Sequence, residues 1–188
     1  TRPEAQPVLI ADMESASESS PAFAPDGSLW FISDKSGSDQ LWRMTMPGGS
    51  PVQASDFSVG VAGFKLAPTG NRVAVWSAIP RACAEFGCPA PTASPEEAKA
   101  TGREYDEYFV RHWTSWRTPG VYNRIFAFDV ANGKVSGLGT PLDGSITGNA
   151  PTDPFGGGEE LNWSTDGNTL YYTLREANAM QQQTIDVD

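Results

Sequence analysis

The stretch Ser-Pro-Ala-Phe-Ala-Pro-Asp-Gly-Ser-Leu-Trp-Phe-Ile-Ser (Ser20–Ser33) decides the fold. Pro25-Asp26-Gly27 is a turn with a mechanism: proline presets φ, aspartate can bond its own backbone, and glycine takes positive φ without a Cβ clash. On both sides lie short aromatic and aliphatic runs of strand length. A polar turn over residues 34–39 leads into Gln-Leu-Trp-Arg-Met (Gln40–Met44). The segment therefore reads as a strand, a tight hairpin, a strand, a second turn and a third strand. So small an antiparallel meander cannot bury its faces alone, and another layer must stack on it.

The pattern recurs. Phe-Lys-Leu-Ala-Pro-Thr-Gly (Phe64–Gly70) leads into Asn-Arg-Val-Ala-Val-Trp (Asn71–Trp76), and Leu-Asn-Trp-Ser-Thr-Asp-Gly (Leu161–Gly167) leads into Asn-Thr-Leu-Tyr-Tyr-Thr (Asn168–Thr173). Gly27 and Gly70 are 43 residues apart, close to the roughly 40–50 residues of a four-stranded propeller blade. Gly70 and Gly167 are 97 apart, room for an extra blade or a long insertion, and the insertion is favoured. Later strands follow at Leu41–Met44, Ile125–Val130 and Thr184–Val187. The expected fold is all-β: a partial β-propeller of about three four-stranded blades. Blade one covers about 20–56. Blade two covers about 61–142 with an insertion over 77–123. Blade three covers about 159–188 and is incomplete. Pro7–Ile10 reads as a short strand at the edge of a neighbouring blade, and Pro51–Ala54 as an outer strand. Residues 140–158 read as an irregular connection, and Arg175–Gln183 as a polar excursion.

The 188 residues carry a net charge of −10, with 19 glycines and 15 prolines. That composition favours many short strands and turns. The acidic balance lacks the basic stripe of a nucleic-acid footprint and disfavours anionic membranes. No apolar run reaches the roughly 18 residues of a membrane span. Thr1–Glu4 does not read as a signal peptide. The chain stops inside a strand-like segment, so it is expected to be part of a larger protein. Alone it would expose blade faces and strand edges. The expected partner is the remainder of the same protein or a second chain completing the propeller.

Within the insertion, Ser94–Ala100 is a helix start with a Ser-x-x-Glu capping box closed by Glu97. Cys83 and Cys88 are the only cysteines. They are a disulfide, a redox pair or half a metal site. A disulfide pinning the insertion fits best, and two reduced thiols are the alternative. A disulfide places the chain in an oxidising compartment. No metal or cofactor is expected. Zinc normally needs four ligands, and His112 is the only histidine. A serine triad would need a Gly-x-Ser-x-Gly elbow, which the chain lacks, so His112 reads as structural beside Trp113. Glu96-Glu97 and Glu159-Glu160 read as capping or solvated carboxylates ahead of amine-binding ones. Arg111, Trp113, Trp116 and Arg117 are the candidate substrate-binding group. Guanidinium and indole faces can stack on and recognise a carboxylate or peptide. Wedging the insertion onto the blade is the competing role, and the favoured one.

Ser20–Gly27 followed by Leu-Trp-Phe-Ile-Ser-Asp-Lys-Ser-Gly resembles the propeller repeats of Tol-type periplasmic proteins and of prolyl oligopeptidase-family peptidases. Tyr-Asp-Glu-Tyr-Phe-Val-Arg-His-Trp-Thr-Ser-Trp (Tyr105–Trp116), then Asn-Arg-Ile-Phe-Ala-Phe (Asn123–Phe128), is similar to the second-blade segment of bacterial dipeptidyl and acylaminoacyl peptidases of that family. Thr114 stands where that run commonly carries aspartate. The resemblance implies a periplasmic or secreted serine peptidase acting on short peptides. In it an N-terminal propeller gates access to a C-terminal α/β-hydrolase domain and supplies contacts to the peptide's N-terminal side. The triad would lie beyond Asp188, so this chain carries no catalytic residue and should hydrolyse nothing alone. The rival expectations are a non-enzymatic Tol-type binding propeller and the propeller of an amidohydrolase fusion.

Overall fold

A computed structural model describes residues 6–88, 92, 94–96, 99, 101–102, 111–145 and 147–176. The described residues form antiparallel sheets and no α-helix. The first sheet is a meander of β1 (Glu18–Phe23), β2 (Leu29–Ser33), β3 (Gln40–Met44) and β4 (Val52–Gln53), each paired with the next. The second contains β5 (Gly63–Leu66), β6 (Arg72–Pro80) and β9 (Val121–Ala131). Its outer edge is made by β10 (Lys134–Val135) and β11 (Thr140–Pro141), both paired with β9. The third is the hairpin β13 (Leu161–Trp163) and β14 (Leu170–Tyr172). Two smaller pairs are β7 (Arg111–His112) with β8 (Ser115–Trp116), and β12 (Gly148–Asn149) with β15 (Arg175–Glu176).

The three repeated turns have one geometry. Gly27, Gly70 and Gly167 have φ of 81°, 74° and 69°, where a Cβ is strained and glycine is favoured. In each, the glycine N–H donates to the carbonyl three residues back: Ala24, Ala67 and Ser164. Successive turns also touch. A Cβ at Gly70 would lie 3.4 Å from Pro25 of the first turn, and one at Gly167 would lie 2.4 Å from Thr69 Oγ1 of the second. Each turn therefore lies against the preceding one.

Strand alternation builds the cores between them. Trp30 and Ile32 of β2 face Val73, Val75, Phe126 and Phe128 of the second sheet. The intervening residues Ala74, Trp76 and Ile125 face Leu161 and Trp163 of the third. The second sheet is thus buried on both faces. The other side of β2, Leu29 and Phe31, is covered by Ala11, Met13 and Met46. Gly63 leaves room for an indole: a Cβ there would sit 2.0 Å from Trp76 Cζ2.

Several expectations are corrected. Pro7–Ile10 is not a strand; Val8 and Leu9 are 80% and 75% exposed. The run has β propensity, but propensity without a ladder partner does not make a strand. Residues 140–158 include β11 and β12, and Arg175–Glu176 is β15 rather than part of a polar excursion. The β6–β9 ladder continues to Pro80↔Val121, so the chain leaves the second sheet after Pro80 and rejoins it at Val121. Glu97, Tyr105–Val110 and Thr184–Val187 lie outside the described residues, as do Ala98 and Ala100 of the helix expected over Ser94–Ala100.

The first and third turns are held by acid side chains. Asp26 accepts hydrogen bonds from the Ser28 hydroxyl (2.6 Å) and Ser28 N–H (2.9 Å), which hold its carboxyl below the usual range. Asp166 accepts from the Ser164 hydroxyl (2.5 Å) and Asn168 N–H (3.0 Å), and these bonds lower it from 3.8 to about 2. A pKa depressed in the folded state gives stability that is present above the unfolded value and lost as pH falls through the folded one. Asp166→Asn should therefore reduce the loss of stability between about pH 4 and pH 2. Acid unfolding curves of the two proteins that keep their neutral-pH offset throughout that window would contradict the assignment.

Candidate functional site

The long excursion between β6 and β9 carries the candidate residues. Its base is fixed in three ways. Cys83 and Cys88 form a disulfide. Phe86 is buried against Phe57, Phe126 and Phe128, with ring centroids 4.8–5.7 Å apart. Arg124, on β9, donates through Nη1 to the carbonyls of Pro80 (2.9 Å) and Cys83 (2.7 Å). The same guanidinium donates through Nε (2.5 Å) and Nη2 (3.1 Å) to the carboxylate of Asp143. Arg81 Nη1 donates to that carboxylate as well, at 2.7 Å. The sequence reading missed this buried cluster. Its one signal was a charged residue, Arg124, immediately before the apolar run Ile125–Phe128.

The returning chain carries the hairpin β7–β8, in which Arg111 pairs with Trp116. The Arg111 guanidinium lies 5.3 Å from the Trp116 ring centroid, an exposed cation–π contact contributing roughly 0.5–1 kcal/mol. Trp113 occupies the turn with φ of 46° and is 78% exposed. Trp116 is 46% exposed. The Arg117 guanidinium lies 6.0 Å from the ring centroid of Tyr122 on β9. The structure thus brings Arg111 and Trp116 together with Trp113 at the tip, while Arg117 reaches back to the sheet. His112 lies on β7 beside Trp113 in the chain. An exposed guanidinium stacked on an indole face can receive a carboxylate or a peptide group. Glu160 is structural: its carboxylate accepts from Thr152 N–H at 2.7 Å.

A groove of about 430 Å³ lies between the second and third sheets, lined by Arg72, Asp129, Trp163, Asn168 and Tyr172 among others. Tyr172 donates to the Leu142 carbonyl at 2.6 Å. Burial, and then the charge of Asp143, push its phenol pKa upward. The groove opens at the Arg72 end of β6, and the excursion leaves from the Pro80 end, roughly 25 Å of strand away. The described residues contain no cluster of three or more metal-ligating side chains, and none of their helices is long and apolar enough to cross a membrane.

Such a protein is an all-β chain built of stacked, turn-punctuated antiparallel sheets, with one sheet interrupted by a disulfide-bonded excursion. No family model matches the chain. It is 31% identical over 176 residues to dipeptidyl-peptidase 5 of Porphyromonas gingivalis, a match that covers 91% of this chain and 24% of that protein. The chain is therefore related to part of a dipeptidyl peptidase, as the run Tyr105–Phe128 implied, and spans about a quarter of its length. Among solved structures, a TolB-type protein of Agrobacterium tumefaciens aligns with 19% identity over 84% of this chain and 43% of its own, at a TM-score of 0.43. The acylaminoacyl peptidase of Pyrococcus horikoshii aligns with 13% identity over 72% of this chain and 19% of its own, at a TM-score of 0.42.

Proposed function

We propose that this chain is the gating propeller segment of a prolyl oligopeptidase-family serine peptidase that cleaves short peptides near their N-terminus. The catalytic α/β-hydrolase domain lies outside these residues, and the rest of the propeller is supplied by the same polypeptide or a second chain. The observation that carries the reading is the match to dipeptidyl-peptidase 5 over 91% of the chain. The repeated stacking of the three glycine turns supports the propeller. The Cys83–Cys88 disulfide supports a periplasmic or secreted location, where such bonds persist. Arg111, Trp113 and Trp116 are the groups proposed to meet the peptide, with Arg117 bracing the hairpin on Tyr122.

The test uses the whole polypeptide that carries these residues, assayed on dipeptidyl anilides. Arg111→Ala combined with Trp113→Ala should raise KM roughly tenfold with kcat little changed, because binding contacts common to substrate and transition state are lost. Unchanged kinetics with a lowered melting temperature would assign the hairpin a structural role instead.

A further inference from the structure

The ionic cluster at the neck of the excursion has no part in the reading above. Asp143 and Arg124 are 6% and 3% exposed, and Arg81 lies beside them, its side chain 27% exposed. Burying charges is costly, and well-packed apolar residues often serve stability as well or better. What charges add is direction. The two guanidinium forks fix orientation through charge-assisted bonds. Arg124 binds both carboxylate oxygens of Asp143 and the carbonyls of Pro80 and Cys83. Arg81 binds Asp143 and, through Nη2, the Gly144 carbonyl at 2.8 Å. The returning chain is tied to the same residue. The Arg81 N–H donates to the Gly120 carbonyl at 2.9 Å, and Val121 N–H donates to Thr118 at 3.2 Å. A continuous set of hydrogen bonds therefore runs from Asp143 through Arg81 to the segment just after the hairpin 111–116.

We propose that Asp143, acting through Arg81 and Arg124, is a positioning residue that sets the direction in which the excursion presents Arg111, Trp113 and Trp116. Its consequence for peptide binding rests on the function proposed above; its consequence for the neck does not. Arg81→Ala removes one arm of the cluster from its more exposed side and spares the buried Arg124–Asp143 pair. Asp143→Asn is the stronger variant, and Asp143→Glu keeps the charge.

Hydrogen exchange and peptide hydrolysis are measured together on the whole polypeptide. In Arg81→Ala, amides of residues 81–88 and 111–121 should exchange roughly tenfold faster, while those of β1–β3 stay as they were. KM should rise several-fold with kcat nearly constant, and Asp143→Glu should recover part of what Asp143→Asn loses. Added to the Arg111→Ala, Trp113→Ala pair, Arg81→Ala should raise KM no further, since both act on one contact. Neck amides that exchange at the original rate would overturn the proposal, as would effects on KM that multiply. Faster neck exchange with a KM insensitive to the hairpin variant would uphold the positioning role and remove the hairpin from the peptide site.

Discussion

Phe126→Ala is expected to lower stability by about 3–5 kcal/mol, the usual cost of emptying a buried aromatic site. Phe126 is fully buried at the centre of the longest strand. Its ring packs edge-on to Phe86 at 5.5 Å, and the Arg124 guanidinium lies over it at 5.1 Å. Removing it opens a cavity where the first sheet, the second sheet and the base of the excursion meet, so no one of them can collapse to fill the space. Phe23 supplies the control. It is equally large but 67% exposed at the end of β1, and Phe23→Ala should change stability by no more than about 0.5 kcal/mol. Urea unfolding of the whole polypeptide compares the two. Similar midpoints would mean that the sheets do not share the core described.

Arg124→Ala should be about as damaging, at about 3–5 kcal/mol, for a different reason. It leaves Asp143 buried with a partner on one side only, and breaking a buried ion pair costs more than never having had one. It also strips donors from the Pro80 and Cys83 carbonyls. Arg124→Lys should recover little, because an ammonium cannot bond both oxygens of Asp143 and two carbonyls in the same plane. A lysine variant with wild-type unfolding would show that the fork geometry is unimportant.

Much of the fold was legible because its signals are local. Gly27, Gly70 and Gly167 announce turns through the backbone they require. The apolar run Val73–Trp76 just after the Gly70 turn announces a strand. What escaped depends on partners far away in sequence. β12 and β15 are two-residue strands of Gly148–Asn149 and Arg175–Glu176, recognisable only once they meet. Pro7–Ile10 has the composition of a strand, and among the described residues no strand pairs with it. The excursion's bounds shifted because β6 keeps its ladder to Pro80 through polar Ser77 and small Ala78. In the candidate site, Arg111, Trp113, Trp116 and Arg117 were visible as an aromatic and cationic run. That Arg111 pairs with Trp116 while Arg117 lies against Tyr122 was not, since those contacts exist only in the folded chain. Asp143 sits in a Gly- and Pro-rich connection, where a carboxylate normally reads as solvated.

The central claim is that these sheets gate a serine peptidase whose chemistry lies elsewhere in the polypeptide. A fluorophosphonate that reacts with activated serines tests it most directly, applied to the whole protein and followed by mapping of the labelled residue. The account predicts one labelled serine beyond Asp188, with loss of peptide hydrolysis in proportion to labelling. A folded protein that takes no label and cleaves no peptide, or a label on a serine within residues 1–188, would contradict it.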